Sequence, residues 1–167
     1  MPILTPREIP TVAMVRELLD YFPQTGDFHW RGCLSPQTGI AGSMSTGGYW
    51  MLRLGKNTYR AHRIAWLHFY GVWPAGFDID HINGIRLDNR IANLRLATRS
   101  QNNGNSGPQP NNFHGIKGAT FSRGKWQAQL MFKGKNHYLG RFNTAEEANA
   151  AYLVAAKKFF GEFARAA

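Results

Sequence analysis

Residues 11–22 (TVAMVRELLDYF) place Val15, Leu18, Leu19 and Phe22 on one helical stripe behind Thr11 as a cap, and Pro23 with Thr25-Gly26 closes the element. Short strands follow at Phe28–Trp30, Tyr49–Leu54 and Thr58–Ala61, the last two joined by a Gly55-Lys56-Asn57 turn. Helical spacing returns from His62 to Tyr70, with Ile64, Leu67 and Phe69 apolar, until Gly71 and Pro74 stop it. A strand around Phe77–Ile82, a polar loop and a strand at Leu94–Ala97 come next, and Thr98 with Gln101 reads as a capping box that starts a helix.

Residues 103–112 (NGNSGPQPNN) carry no apolar side chain and read as a flexible linker. Beyond it, Trp126, Ala128, Leu130 and Phe132 alternate with Gln127, Gln129 and Met131, the pattern of a half-buried strand. Gly134 turns the chain into a strand at His137–Gly140. Thr144 and Glu147 form a second capping box, before a helix that aligns Ala148, Ala151, Tyr152, Ala155 and Phe159. The pattern predicts an α+β chain of two domains, 1–102 and 113–167. The second is a small sheet with one helix on its apolar face, the alanines allowing close approach.

Charge adds a partner. The formal charge is +10 and the pI about 10.2, which points to a polyanion, nucleic acid before an acidic membrane surface. Residues 1–30 hold two basic and four acidic side chains, whereas 31–112 and 113–167 each hold nine basic and three acidic. Two separate basic regions predict two contacts with phosphate backbone. Cys33 stands alone, so no internal disulfide and no cysteine-based zinc site is expected. No apolar run is long enough to span a membrane and the start does not read as a secretory signal, so the expectation is a cytoplasmic protein.

The chemistry concentrates in residues 78–103 (DIDHINGIRLDNRIANLRLATRSQNN). Asp80 offers a hard oxygen ligand for Mg²⁺ and His81 a neutral base for water. Asn102, in the first turn after Thr98, offers a second oxygen from the helix. With so few protein ligands the ion keeps several waters, which suits Mg²⁺. Next-door residues on a regular strand face opposite ways, so Asp80 and His81 serve one site only at a bend or strand end. His62 reads as a packing or hydrogen-bonded histidine before a second catalytic group, and Arg60 and Arg63 as phosphate contacts.

The run from Leu18 to Asn103 (LLDYFPQTGDFHW, YRAHRIAW, DHINGIRLDNRIANLRLATRSQN) resembles the H-N-H endonucleases of the phage and homing-enzyme type. The resemblance implies a ββα-metal nuclease domain in which Asp80 and Asn102 bind Mg²⁺ or Mn²⁺, His81 activates water and Asn93 braces the loop. Asparagine in the third place of the motif makes Zn²⁺ the poorer fit. Residues 113–163 resemble the Apetala/ethylene-response-factor DNA-binding domain. The likeness lies in Gly115-Ile116, Trp126 with Ala128, Leu139-Gly140, Phe142 and the TAEEA helix opening. That family lays a three-stranded antiparallel sheet, backed by one helix, in the major groove. It implies DNA contacts from Lys117, Arg123, Lys125, Gln127, Gln129, Asn136 and Tyr138. The chain departs from it in carrying Lys117 for an arginine and Met131 for a base-contacting arginine.

The combined expectation is a metal-dependent DNA endonuclease in a bacterial host cell, phage-borne, monomeric or homodimeric, acting on double-stranded DNA without a small-molecule cofactor. A monomer with one metal site is expected to nick. The alternative is a non-catalytic DNA-binding regulator that keeps the nuclease fold; an RNA-directed nuclease comes third.

Overall fold

The computed structural model describes residues 8–32, 39–108, 112 and 114–165. Cys33, residues 109–111 of the expected linker and Phe113 lie outside them. The described residues form a mixed α/β structure of small sheets and four helices, in two compact units, Met1–Leu96 and Ala97–Ala167.

In the first unit, α1 (Val12–Leu18) is capped by Thr11, whose hydroxyl accepts from the Met14 amide at 3.2 Å. It ends four residues before the predicted stop. Leu19 takes an extended φ of −130° and opens β1 (Leu19–Tyr21), which pairs antiparallel with β2 (Phe28–Trp30). Val15 and Leu19 are buried, but Leu18 and Phe22 of the predicted stripe are exposed. Strand alternation puts Leu19 and Tyr21 inward, and Tyr21 stacks on Phe28 at 4.7 Å.

A second sheet runs β3 (Ser43–Met44), β4 (Trp50–Leu54) and β5 (Asn57–Arg60) in the order β3-β4-β5; β3 is too short to leave a mark in the hydrophobic pattern. Helix α2 (Ala61–Tyr70) follows without a break and ends at Gly71, left-handed at φ 74°. Its buried face is Ala61, His62, Ile64, Ala65 and Leu67, with the predicted Phe69 exposed. Ala61, Ile64, Ala65 and Leu67 meet Val15, Leu19, Phe28, Leu52, Ile79 and Leu94 in one core. The two-stranded pair β6 (Asp78–His81) and β7 (Leu94–Ala97) carries Asp80 and His81 on its first strand and is joined by a loop that ends in a 3-10 turn at Ile91–Asn93.

In the second unit, α3 (Arg99–Asn105) starts from the predicted Thr98–Gln101 capping box and runs three residues into the segment expected to be linker. Gly104 lies where a Cβ would come 2.7 Å from the Phe160 ring, so α3 packs tightly on the last helix. Strands β8 (Ala119–Ser122), β9 (Lys125–Phe132) and β10 (Lys135–Phe142) form an antiparallel sheet ordered β10-β9-β8. Helix α4 (Ala145–Phe160), opened by the Thr144–Glu147 capping box, covers one face through Ala148, Tyr152, Ala155 and Ala156. Gly118, at φ 75°, lets the chain pass under Tyr152 where a Cβ would sit 1.9 Å from the ring.

Candidate nuclease site

Burial along β6 reads intermediate, buried, buried, buried from Asp78 to His81, which breaks strand alternation. The strand ends at His81, whose carbonyl accepts from the Gly84 amide at 2.8 Å in a turn. Asp80 and His81 are thus both buried at a strand end. The Asp80 carboxylate accepts from Arg95 Nε on the neighbouring β7 at 2.9 Å, with both side chains largely shielded from water.

The loop between β6 and β7 is braced by asparagines. Asn93 Nδ2 donates to Asn83 Oδ1 at 3.0 Å and to the Asp88 carbonyl at 2.9 Å, while its Oδ1 accepts from the Asn83 amide at 3.0 Å. Asn83 Nδ2 also donates to Asp88 Oδ2 at 2.7 Å. Arg90 grips the same carboxylate through Nε and Nη2, which, with the Asn83 bond, holds Asp88 down to about 2. Both N–H groups and the oxygen of the Asn93 side-chain amide thereby hold the loop.

His81 itself meets Asn89, whose Oδ1 lies 3.4 Å from Nε2. The amide of Asn89 is oriented from its other end, where Nδ2 donates to the Leu87 carbonyl at 3.2 Å, so oxygen faces the histidine. Tyr21 holds the Asn89 backbone by donating to its carbonyl at 2.7 Å. Burial pushes the His81 imidazolium below its ordinary pKa; the Asn89 bond, Asp80 and Asp88 oppose that, and Arg86 adds to it.

Aromatic and basic groups surround this imidazole. The His62 ring stands edge-on to His81 at 4.9 Å, and Tyr49 lies 5.5 Å from His62 and 6.4 Å from His81. His62 is almost fully buried, and burial first, then His81, Arg60 and Arg63, pushes its pKa well below the ordinary imidazole value. Of the two arginines expected at phosphate, Arg60 stays exposed, with its guanidinium over Tyr49. Arg63 is tied to protein instead: it donates to the Phe77 and Pro74 carbonyls at 3.1 and 3.0 Å and lies over Trp73.

Asn102 lies on α3 in the second unit, whereas Asp80, His81 and Asn93 lie in the first. Among the described residues no group of three or more His, Cys, Asp or Glu is placed to hold a metal ion. The hard donor at the end of β6 is the Asp80 carboxylate, a set that fits an oxygen-loving cation keeping most of its water and does not fit four-ligand Zn²⁺.

On the sheet of the second unit, Arg123, Lys125, Gln129, Met131, Asn136 and Tyr138 are exposed and Gln127 partly so. Asn136 Nδ2 donates to Gln129 Oε1 across the strands at 2.9 Å. Lys117 corrects the expectation of an exposed basic contact. It is buried, its ammonium donating to the Gly104 carbonyl and lying 5.7 Å from the Tyr152 ring centre. Burial and nearby Arg165 push that ammonium down to about 8.

Sequence reasoning missed Asn89, Tyr49 and Arg86. Asn89 was one of five asparagines in residues 78–103, with nothing local to mark it as the one at His81. Tyr49 arrives from the turn before β4, more than thirty residues earlier in the chain.

Residues 59–104 match the HNH endonuclease family. Protein 3.8 of Escherichia phage T7 is 32% identical over 108 residues, covering 64% of this chain and 88% of that protein. A protein named as an uncharacterised HNH endonuclease of Acanthamoeba polyphaga mimivirus is 34% identical over 94 residues, covering 56% of this chain and 49% of its own length. No solved structure matches. Residues 59–104 are an HNH endonuclease domain, and the chain belongs to the family that includes Protein 3.8 of phage T7.

Proposed function

We propose that the chain hydrolyses phosphodiester bonds in double-stranded DNA with one Mg²⁺ or Mn²⁺ ion, His81 taking the proton from the attacking water. The supporting observation is the set orientation of the His81 imidazole. With Asn89 Oδ1 facing Nε2, that nitrogen carries the proton and donates, which leaves Nδ1 as the basic nitrogen. Burial favours the neutral ring, the form a general base requires at pH 7. Asn93 acts by keeping the loop that carries Asn89 in place.

Asp80 is the protein ligand of the ion on this reading, with Asn102 as the second, carried over from the family resemblance in a ββα-metal arrangement. When bound, the ion supplies charge stabilisation for the phosphoryl oxygens and the leaving 3′ oxygen. Arg95 fixes one carboxylate oxygen of Asp80 and so limits how that ligand turns.

The second unit is read as an Apetala/ethylene-response-factor-like module that holds DNA near the nuclease site and raises its local concentration. Gln127, Gln129 and Asn136 on its exposed face have the amide chemistry that reads adenine, Arg123 and Lys125 that of guanine or phosphate, and Tyr138 adds an apolar contact. The same face supports a second reading, a DNA-binding regulator without catalysis. Supercoiled-plasmid nicking separates the two. Wild type with Mg²⁺ is expected to nick, EDTA to stop it, and His81→Ala to reduce it at least a hundredfold. Equal nicking by His81→Ala, or tight binding without nicking by either protein, would overturn the catalytic assignment.

A further inference from the structure

The ring of Tyr49 carries two guanidinium groups beside the His81 imidazole. Arg60 Cζ lies 4.4 Å from the ring centre and Arg86 Cζ 5.0 Å, with the ring itself 6.4 Å from that of His81. Both arginines are exposed. Arg31 pairs with Asp20, Arg90 with Asp88 and Arg95 with Asp80, whereas no ion pair is seen at Arg60 or Arg86 among the described residues.

Two like charges gathered on one ring repel each other unless an anion lies between or beside them. Their anchors are firm. Arg60 is the last residue of β5, and Arg86 comes from the braced β6–β7 loop and donates through Nη1 to the Gly47 carbonyl at 2.9 Å. Tyr49 is fixed by the turn before β4, where its amide donates to Ser45 Oγ at 3.2 Å and its carbonyl accepts from the Ser45 amide at 2.8 Å. Cation–π attraction to the ring face directs both guanidiniums while leaving their N–H edges for hydrogen bonds.

We propose that Arg60 and Arg86 form a two-armed clamp for a DNA backbone phosphate next to the one cut at His81, and that Tyr49 is the positioning residue that sets both arms. The proposal rests on the reading of His81 as the site of DNA hydrolysis. Arginine suits the task because its planar fork matches two phosphate oxygens at once. The clamp fixes where the backbone lies relative to the imidazole, and so which bond is presented for hydrolysis.

The test measures binding of the full chain to a short duplex of mixed sequence by fluorescence anisotropy, in EDTA so that no strand is cut, over a range of salt concentrations. Arg60→Ala and Arg86→Ala are each expected to lower the slope of log affinity against log salt by about 1 and to weaken binding roughly tenfold near 0.1 M salt. Tyr49→Ala is expected to lower the slope as well, and Arg86→Ala to add less in that background than in wild type. Tyr49→Phe keeps the ring and is expected to bind as wild type does, which a role for the hydroxyl would not allow. An unchanged slope for Arg86→Ala overturns the clamp, as does a Tyr49→Phe protein that behaves like Tyr49→Ala. If Tyr49→Ala does not fold, as circular dichroism will show, Arg86→Ala and Tyr49→Phe still decide the matter. Wild type that binds with these slopes yet never nicks plasmid sinks the nuclease reading alone. Nicking with unchanged slopes sinks the clamp alone.

Discussion

Gly26 lies in the β1–β2 hairpin, far in sequence from the β6–β7 loop, yet replacing it with alanine should damage that loop. Its φ is +82°, and a Cβ would come 2.6 Å from Arg90 N and Asn89 C and 3.0 Å from Asn89 N. All three are backbone atoms, which have no flexible end to swing aside. Left-handed backbone in a residue with a side chain costs about 1–2 kcal/mol, and forcing apart a packed contact adds roughly 1–3 kcal/mol. Gly55, in the β4–β5 turn, provides the control. It also has positive φ, +61°, but a Cβ there meets nothing within 4 Å, so Gly55→Ala carries the conformational part alone. Urea unfolding followed by tryptophan fluorescence reports mainly on this unit, because four of the five tryptophans, 30, 50, 66 and 73, lie in it. Gly26→Ala is expected to be less stable than Gly55→Ala by about 1–3 kcal/mol. It is also expected to nick more slowly at a temperature where both remain folded, since the displaced backbone carries the amide that orients His81. Equal midpoints for the two variants would refute the steric argument, and a normal nicking rate would refute the link to Asn89.

Two further outcomes follow from the same contacts. Asn89→Ala removes the acceptor from His81 Nε2, so kcat for nicking is expected to fall about 10–100-fold with KM little changed, checked by steady-state nicking at several plasmid concentrations. A parallel rise in KM would assign Asn89 to DNA contact instead. Lys117 has a folded pKa of about 8 against an ordinary 10.5. The unfolded chain then binds its proton more tightly, and wild type should gain stability as pH rises from about 8 to 10.5, with no contribution to the slope below that window. Lys117→Met lacks that gain, so the difference in urea midpoint between the two proteins should widen in favour of wild type across the window; parallel curves would contradict it.

The parts of the fold that were legible from sequence are those set by neighbours along the chain. Both capping boxes, Thr98 with Gln101 and Thr144 with Glu147, need only residues three apart. Strand β9 declared itself by alternation. The predicted first helix ran too far because Leu18, Leu19 and Phe22 fit a helical stripe, while Leu19 and Tyr21 fit a strand equally well. Pairing with Phe28–Trp30 decided between them, and that is a tertiary contact. The candidate site divides in the same way. Asp80, His81 and Asn93 stand out by type and spacing, but Asn89 at His81, and Tyr49 under Arg60 and Arg86, depend on loops meeting in space. Lys117 misled because a lysine in a glycine-flanked loop reads as surface, and the carbonyl that receives its ammonium belongs to helix α3, thirteen residues away in sequence.

Helix α3 gives the chain an unexpected seam. The stretch that matches the nuclease family ends at residue 104, while the compact second unit begins at Ala97. The homology segment and the compact unit are therefore offset by one helix. A seven-residue helix whose last four residues are three asparagines and a glycine has little stability of its own. It relies on Phe160 over Gly104, and on the Lys117 ammonium and the Arg165 amide at the Gly104 carbonyl. A fragment cut at the homology boundary would carry every residue that matches the family and lack Lys117, Phe160 and Arg165, the residues against which α3 is held.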